Sequence, residues 1–533
     1  MDAPPAARSE RSTAARWLPL AVFAFSALLF ADSARNGFAM DDMPLVVDNP
    51  LIRDLRGIPE LFRLDYWTPA QKSGLYRPLV TTSYAIDWAM GGENPVGYHL
   101  VNVGLHAANA ALVAAVLLAA IGDLPLSATA AFLFAAHALH TEAVANVAYG
   151  RPELLAAFFA LLSLRLYLAR RGVRGGCGWA LAAASLTCFG LALLAKENSV
   201  TLLGVLFLVD WVFGERSKTG GLRNPLRVLA ERLPAYAAYG SVVLGYLLLR
   251  SAAVEGIALP PVHMFDNPLA ALPTGWRIAN ALAVGLQYLE LLILPLHLSY
   301  DYSWNQIPLI QSVADGQLWL VLALVALGLA LLVWSARRSP TLFFGLGFAL
   351  VTFSVVSNIV VPIGTIFGER LAYLPSVGFC LAAAVGVRAL ARVCTRDTRA
   401  AGALFAVAMA LLVGLHALRA FDRARDWRTM ETLWIHDVEV SSRSVKAITN
   451  AGVALMVLDR PAEALQRFEE AIAWGVPPAE FMPPHNSAIF ALLALDRIDE
   501  ARSRYEFAKR HGSQLPPFEL LVRSWEAAPP PDS

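Results

Sequence analysis

Twelve apolar runs constrain this chain more than anything else in it. A helix needs about 20 consecutive apolar residues to cross the hydrocarbon core of a bilayer. Runs near that length lie at 17–34, 97–120, 126–145, 152–170, 177–195, 199–213, 234–252, 276–297, 316–336, 341–362, 373–393 and 399–418. Composition agrees: 57% of the 533 residues are hydrophobic and 16% charged, where soluble proteins carry about 25% charged residues. The expected class is all-α, a polytopic membrane protein. Its first run follows Arg8, Arg11 and Arg16 and ends in small residues, so a cleaved signal peptide is the alternative there. The polar loop behind it favours a retained span.

Short cytoplasmic loops carry an excess of Lys and Arg. That rule puts "ARRGVRGG" (169–176), "GERSKTGGLRNPLRVLAER" (214–232), "SARRSP" (335–340) and "RALARVCTRDTR" (388–399) inside. Parity then conflicts. If every run crosses, "DYSWNQIPL" (301–309) is inside, whereas the basic loops at Arg337/Arg338 and 388–399 need it outside. The segment 276–297, which carries Glu290 and Pro295, is therefore expected to dip in without crossing, a misread neighbouring boundary being the alternative, which leaves about 11 crossings and an outer C-terminus. Net charge is +1, which points to no nucleic-acid partner, and Cys177, Cys188, Cys380 and Cys394 have no metal-type spacing.

Residues 1–422 form the expected transmembrane domain, with a first outer loop at 35–96, and 423–533 a second domain. In the latter Gly452, Ala464, Phe468 and Ala471 match the small and aromatic positions of a tetratricopeptide repeat (TPR), a two-helix unit of about 34 residues. Ala501, Tyr505 and Ala508 repeat the pattern 37 residues later. Two repeats bury little by themselves, so packing against "DWRTMETLW" (426–434) or the membrane domain is expected.

Polar residues gather on the outer side, where charge at membrane depth is expensive. Asp41 and Asp42 follow the first run. His99, Asn102 and His106 share one helix face. The stretch 77–90, opening with Arg77, is too polar to cross and is expected at the interface. "HALHTEAVANVAYGRPELL" brings His137, His140, Glu142, Arg151 and Glu153 to the same side; "AKEN" adds Lys196 and Glu197, and "GERLAYLPSVGF" adds Glu369, Arg370 and Tyr373. Arg and Lys hold phosphate, Arg through its fork and Lys as a point charge, while a carboxylate takes a proton from an attacking hydroxyl. Structural ion pairs explain any one of these pairs, yet they have no reason to collect at one face. The gathering suits a site where a membrane-anchored anionic donor meets a soluble acceptor. A transporter would instead line a path across the membrane, and a non-catalytic membrane-anchored scaffold for the C-terminal helices is the other alternative.

"GFAMDDMPLVVDNPLI", "YRPLVTTSYAIDWAMGGENPVGYHLVNVGLHAANA", "HALHTEAVANVAYGRPELL", "LLAKENSVTLL", "LSYDYSWNQIPL", "GERLAYLPSVGF" and "DWRTMETLW", in that order, resemble the transmembrane and TPR-repeat-containing O-mannosyltransferase family. More broadly the chain is similar to the GT-C superfamily of polyprenyl-phosphate-sugar glycosyltransferases. The resemblance implies a GT-C fold of about 11–12 transmembrane helices, a polyprenyl-phosphate-linked sugar donor (mannose in animal members), and a hydroxyl acceptor on protein or glycan. The family's acidic motif falls on Asp41 and Asp42, with Asp42 slightly favoured as base and Glu142 in the same catalytic group. Arg77, His99, Asn102, His137, His140, Arg151, Glu153, Lys196, Glu197, Glu369, Arg370 and Tyr373 become the donor-phosphate and substrate group, with Arg370 foremost. A divalent metal is the one cofactor to consider, His137 and His140 at i and i+3 beside Glu142 being candidate ligands; helix-end histidines that only hydrogen-bond are the competing account. Alanine- and arginine-rich usage suggests a bacterial member in the inner (cytoplasmic) membrane with its TPR-like domain extracytoplasmic, where it would recruit the acceptor.

Overall fold

Apolar runs become long helices wherever no polar side chain finds a partner that a straight helix could not reach. The computed structural model describes residues 5–173, 175–214, 222–254, 256 and 262–526. Arg174 and residues 215–221, parts of two expected basic loops, lie outside the described residues, as do the side chains of Arg8 and Arg11. Among the described residues there is no strand. Six helices are long and apolar enough to cross a membrane: Pro95–Ile121, Gly150–Ala169, Gly175–Ala195, Gly316–Arg338, Pro375–Cys394 and Thr398–Asp426.

Other runs are shorter than their hydropathy suggested. The span expected at 126–145 is helical over Leu124–Ala136 and stops at His137, where the backbone turns extended and the ring accepts from the Leu139 N–H at 3.3 Å. Ala138–His140 and Thr141–Ala145 follow as short buried turns. The runs at 199–213 and 341–362 contract in the same way to Leu202–Phe213 and Pro340–Phe353. In each case the polar end of the run bends to form tertiary hydrogen bonds, which hydropathy alone does not register.

The two ends of the bundle differ in chemistry. One is pinned by Arg388 on Asp123 (2.5 Å) and by Asp210, which pairs with Arg171 (2.7 Å) and accepts from Tyr167 (2.5 Å) and Tyr236 (3.0 Å). The other gathers nearly every long loop. Thr274–Ile293 lies along that second end: Arg277 donates to Asn358 O (2.8 Å) and Tyr288 to Gly368 O (3.0 Å), both acceptors in the single connection between Phe353 and Pro375. The segments flanking this helix also meet, Trp304 N–H donating to Phe265 O at 3.1 Å. The helix therefore starts and finishes on one side. The chain leaves Thr398–Asp426 on the loop-rich side, where Arg423 near the end of that helix pairs with Asp437.

The C-terminal helices Val445–Val457, Pro461–Ala473, Pro483–Ala494 and Ile498–Arg510 pack in sequence against their neighbours. Ala464, Phe468, Ala471, Ala501, Tyr505 and Ala508 are all buried, so the small and aromatic positions of the pattern form the core. This domain is docked through charge and hydrogen bonds. Buried Asp437 accepts from Arg423 (2.9 Å), Tyr300 N–H (2.5 Å) and the Ser299 hydroxyl (3.2 Å). Val445 N–H donates to Trp304 O (2.8 Å) and Asn305 N–H to Arg443 O (3.1 Å). The boundary expected at 422/423 falls inside the continuous helix Thr398–Asp426, because Arg423 belongs to this joint. A Cβ at Gly452 would sit 2.5 Å from the Phe468 ring, so Gly452→Ala is expected to cost about 1–3 kcal/mol by overpacking. Earlier proteolysis of the C-terminal helices in the variant, with the bundle intact, checks this.

Candidate active site

The loop that carries the two aspartates is held from three directions. Gly37 N–H donates to Arg428 O (2.9 Å), its carbonyl lies 3.2 Å from His99 Nε2, and Trp434 Nε1 is 2.9 Å from Met40 Sδ. Met40 has φ +55°, a left-handed conformation that non-glycine residues rarely adopt, so the turn presenting Asp41 is strained.

The neighbouring aspartates have different surroundings. Asp42 is fully buried and accepts from Ala39 N–H (2.9 Å) through one oxygen and from Ala148 N–H (2.7 Å) through the other. Burial pushes its carboxyl up to about 7 despite those bonds. Asp41 is half-buried. Burial raises its carboxyl as well, opposed by the Tyr149 hydroxyl, Lys446 and Arg370. Geometry thus reverses the preference between the pair: Asp42 ties the loop to the turn at Ala148, and Asp41 faces the cations.

Arg370 stands over the Tyr149 ring, 4.2 Å from its centroid, and is ion-paired to Glu142. The second Glu142 oxygen accepts from Arg370 N–H at 2.8 Å. With both oxygens committed, Glu142 orients Arg370 rather than serving as an acid or base. Beside this centre lies a second group of charges, with Lys196 on Glu153 and Arg77 on Glu197 through two bonds of 2.7 and 3.2 Å. Arg77 also covers the Tyr66 ring at 5.4 Å. Although burial works against ionisation, Arg77 holds Glu197 down at about 2, and burial lowers the Lys196 ammonium.

Several expected substrate ligands are structural instead. Arg151 is completely buried and uses every guanidinium nitrogen: Nε on Asn102 (2.7 Å), Nη2 on Tyr98 O (3.0 Å), Nη1 on Asp87 (2.8 Å) and Ser83 (3.0 Å). Four of its five N–H groups are thereby engaged inside the protein. Asn102 in turn donates to Asn146 O (2.9 Å) and Val144 O (3.3 Å), and His106 Nδ1 meets the Tyr373 hydroxyl at 2.7 Å. His137 Nε2 lies 2.9 Å from Leu292 O and His140 Nε2 2.8 Å from Ser376 Oγ. His137 uses both nitrogens and Glu142 both oxygens, so only His140 Nδ1 of this trio is without a partner, and one free nitrogen does not make a metal site. Glu369, buried, accepts from Ser299 N–H (2.6 Å) and Tyr302 (2.8 Å), and burial pushes it up to about 8; it joins loops instead of contacting substrate.

Tyr149, Asp266, Asp301 and Lys446 reach this centre without having been expected there. Asp301 lies in the quoted "DYSWNQIPL" segment, and Lys446 was hidden by its place in a domain read as an appendage.

Residues 256–329 match the family model described as Protein O-mannosyl-transferase TMTC, DUF1736. The chain is 31% identical to Protein O-mannosyl-transferase Tmtc3 of Drosophila melanogaster over 83% of its own length and 53% of that protein's. The chain is a relative of the TMTC protein O-mannosyl-transferases. It is likewise 31% identical to TMTC4 of Mus musculus, covering 82% of this chain and 63% of that one. It thus spans between about half and two-thirds of the length of these relatives. An oligosaccharyltransferase of Archaeoglobus fulgidus tethered with an acceptor peptide overlaps 85% of this chain and 59% of its own with a TM-score of 0.44 at 15% identity; the fold described above rests on the helices themselves.

Asp42→Asn would set an amide NH₂ against a backbone N–H. Leaving that donor unpaired is expected to cost about 1–3 kcal/mol, lowering the melting temperature of detergent-solubilised protein, while Asp41→Asn, at a partly buried side chain, melts with the parent.

Proposed function

We propose that this chain is a membrane glycosyltransferase that moves mannose from a polyprenyl-phosphate-linked donor to a protein Ser or Thr hydroxyl on the extracytoplasmic face. The observation that carries this reading is the environment of Asp41. It is a partly buried acidic side chain set beside a tyrosine, an arginine and a lysine, at the end of the bundle where the loops collect. The names of the relatives support mannose and a protein acceptor.

In the reaction, Asp41 accepts the proton of the attacking hydroxyl. The acceptor oxygen bonds to the sugar's anomeric carbon as the bond from that carbon to the lipid phosphate breaks, and the electron pair leaves on the phosphate. In-line attack inverts the anomeric centre. Arg370, aligned by Glu142 and Tyr149, neutralises the departing phosphate; Arg77 and Lys196 are the next cations in line. The raised carboxyl of Asp41 suits a base, since a weakly basic carboxylate removes protons poorly.

Because Asp41 must be ionised to work, and burial raises it above 3.8, transfer should fall as pH drops through that raised value. Asp41→Asn should lose on the order of 10²–10⁴ in turnover while still binding donor lipid. A variant with parental turnover excludes Asp41 as base. Orientation is tested separately: a reporter fused after Ser533 is expected to be active only outside the cytoplasm, and cytoplasmic activity contradicts the proposed topology.

A further inference from the structure

The C-terminal helical domain sends a cation to the carboxylates beside Asp41. Lys446, second residue of Val445–Val457, puts Nζ 2.6 Å from Asp266 and 3.9 Å from Asp301, over Phe265 at 5.8 Å from the ring centroid. Asp266 and Asp301 flank the helix Thr274–Ile293, within the segment that the family model covers. Met40, the neighbour of Asp41, packs in one apolar cluster with Phe265, Trp434 and Val445, which places Asp41 within the field of the same ammonium.

Ordinary structural roles account poorly for this placement. A cation in the first turn of a helix opposes the helix dipole, so the lysine does not serve its own helix. Docking does not depend on it either: Ser444 donates to Asp301 (2.6 Å), Val445 N–H to Trp304 O (2.8 Å) and Arg423 to Asp437 (2.9 Å), all without Lys446. The chain also uses only five lysines among its 43 basic residues, and where arginine is the rule a lysine supplies a compact point charge instead of a fork.

We propose that Lys446 is a positioning residue for the transfer reaction: its ammonium, delivered by docking of the C-terminal domain, offsets the crowded carboxylates and keeps Asp41 in its proton-accepting form. This rests on Asp41 being the base. Asp42, Tyr66, Tyr149, Asp266, Tyr300, Arg370 and Lys446 are the titratable and charged groups that face Asp41. Among them, Asp266 raises its carboxyl while Lys446 and Arg370 lower it. The C-terminal helices would then complete the active site as well as offer a surface to acceptors, and transfer would require them docked.

The experiment is the pH dependence of mannosyl transfer by the purified full chain, for the parent and for Lys446→Met, Lys446→Arg and Asp266→Asn. Absence of transfer by the parent overturns the proposed function itself. With an active parent, Lys446→Met is expected to move the acid limb to higher pH, so that turnover below the limb falls about tenfold, the effect of one unit in the base. Lys446→Arg restores the limb. Asp266→Asn, which removes a competing carboxylate, moves it to lower pH. An equal loss at all pH values in Lys446→Met overturns the proposal, as that is the mark of a purely structural pair. Should Lys446→Met fail to fold, an unmoved limb in Asp266→Asn overturns it equally.

Discussion

A guanidinium buried among apolar helices needs partners for its donors, and the loop-rich end of this molecule is organised around one that finds four. Arg151 emerges from the helix Gly150–Ala169 and is met by Asn102, Tyr98, Asp87 and Ser83 from two other helices. Asn102 then holds the backbone at Val144 and Asn146, and the following turn supplies the Ala148 N–H that anchors Asp42. With water excluded, an unmet donor here costs far more than at a surface. The position of Asp41 is thus set, through these hydrogen bonds, by a fully buried cation.

A second buried joint acts on the opposite wall. Arg423, Asp437 and the 299–303 loop lock the C-terminal helices onto the bundle, and Glu369 joins the same loop to the strand of chain that carries Arg370. Candidate cation, candidate base and C-terminal domain are therefore mechanically connected. Deleting residues 440–533 would strip partners from Asp301 and Asp266 as well as remove an acceptor surface, so such a truncation does not isolate acceptor recruitment.

Much of this was legible in the sequence. Apolar runs located the helices, and the segment 276–297, singled out by charge parity, is the helix Thr274–Ile293 that bonds at both ends to the 354–374 connection. The clustered polar motifs do meet at one end of the bundle, because desolvated charge has to be grouped to be tolerated. What the sequence could not assign was which polar residue works and which one holds. His99, Asn102 and His106 do share a helix face, yet their partners are backbone carbonyls and a tyrosine on distant segments. Adjacent aspartates diverge because a left-handed Met40 and two remote N–H groups decide which one is tied down. Lys446 escaped notice since nothing local separates it from an ordinary helix-surface lysine.

The account's central claim is that a base and a cation at this end of the bundle drive a single inverting displacement from a lipid phosphate. Its most direct test is the anomeric configuration of the product when purified protein is given polyprenyl-phosphate mannose and a protein acceptor. The account predicts mannose on Ser or Thr with the configuration opposite to that in the donor. Retained configuration, or sugar left on the lipid, would contradict it.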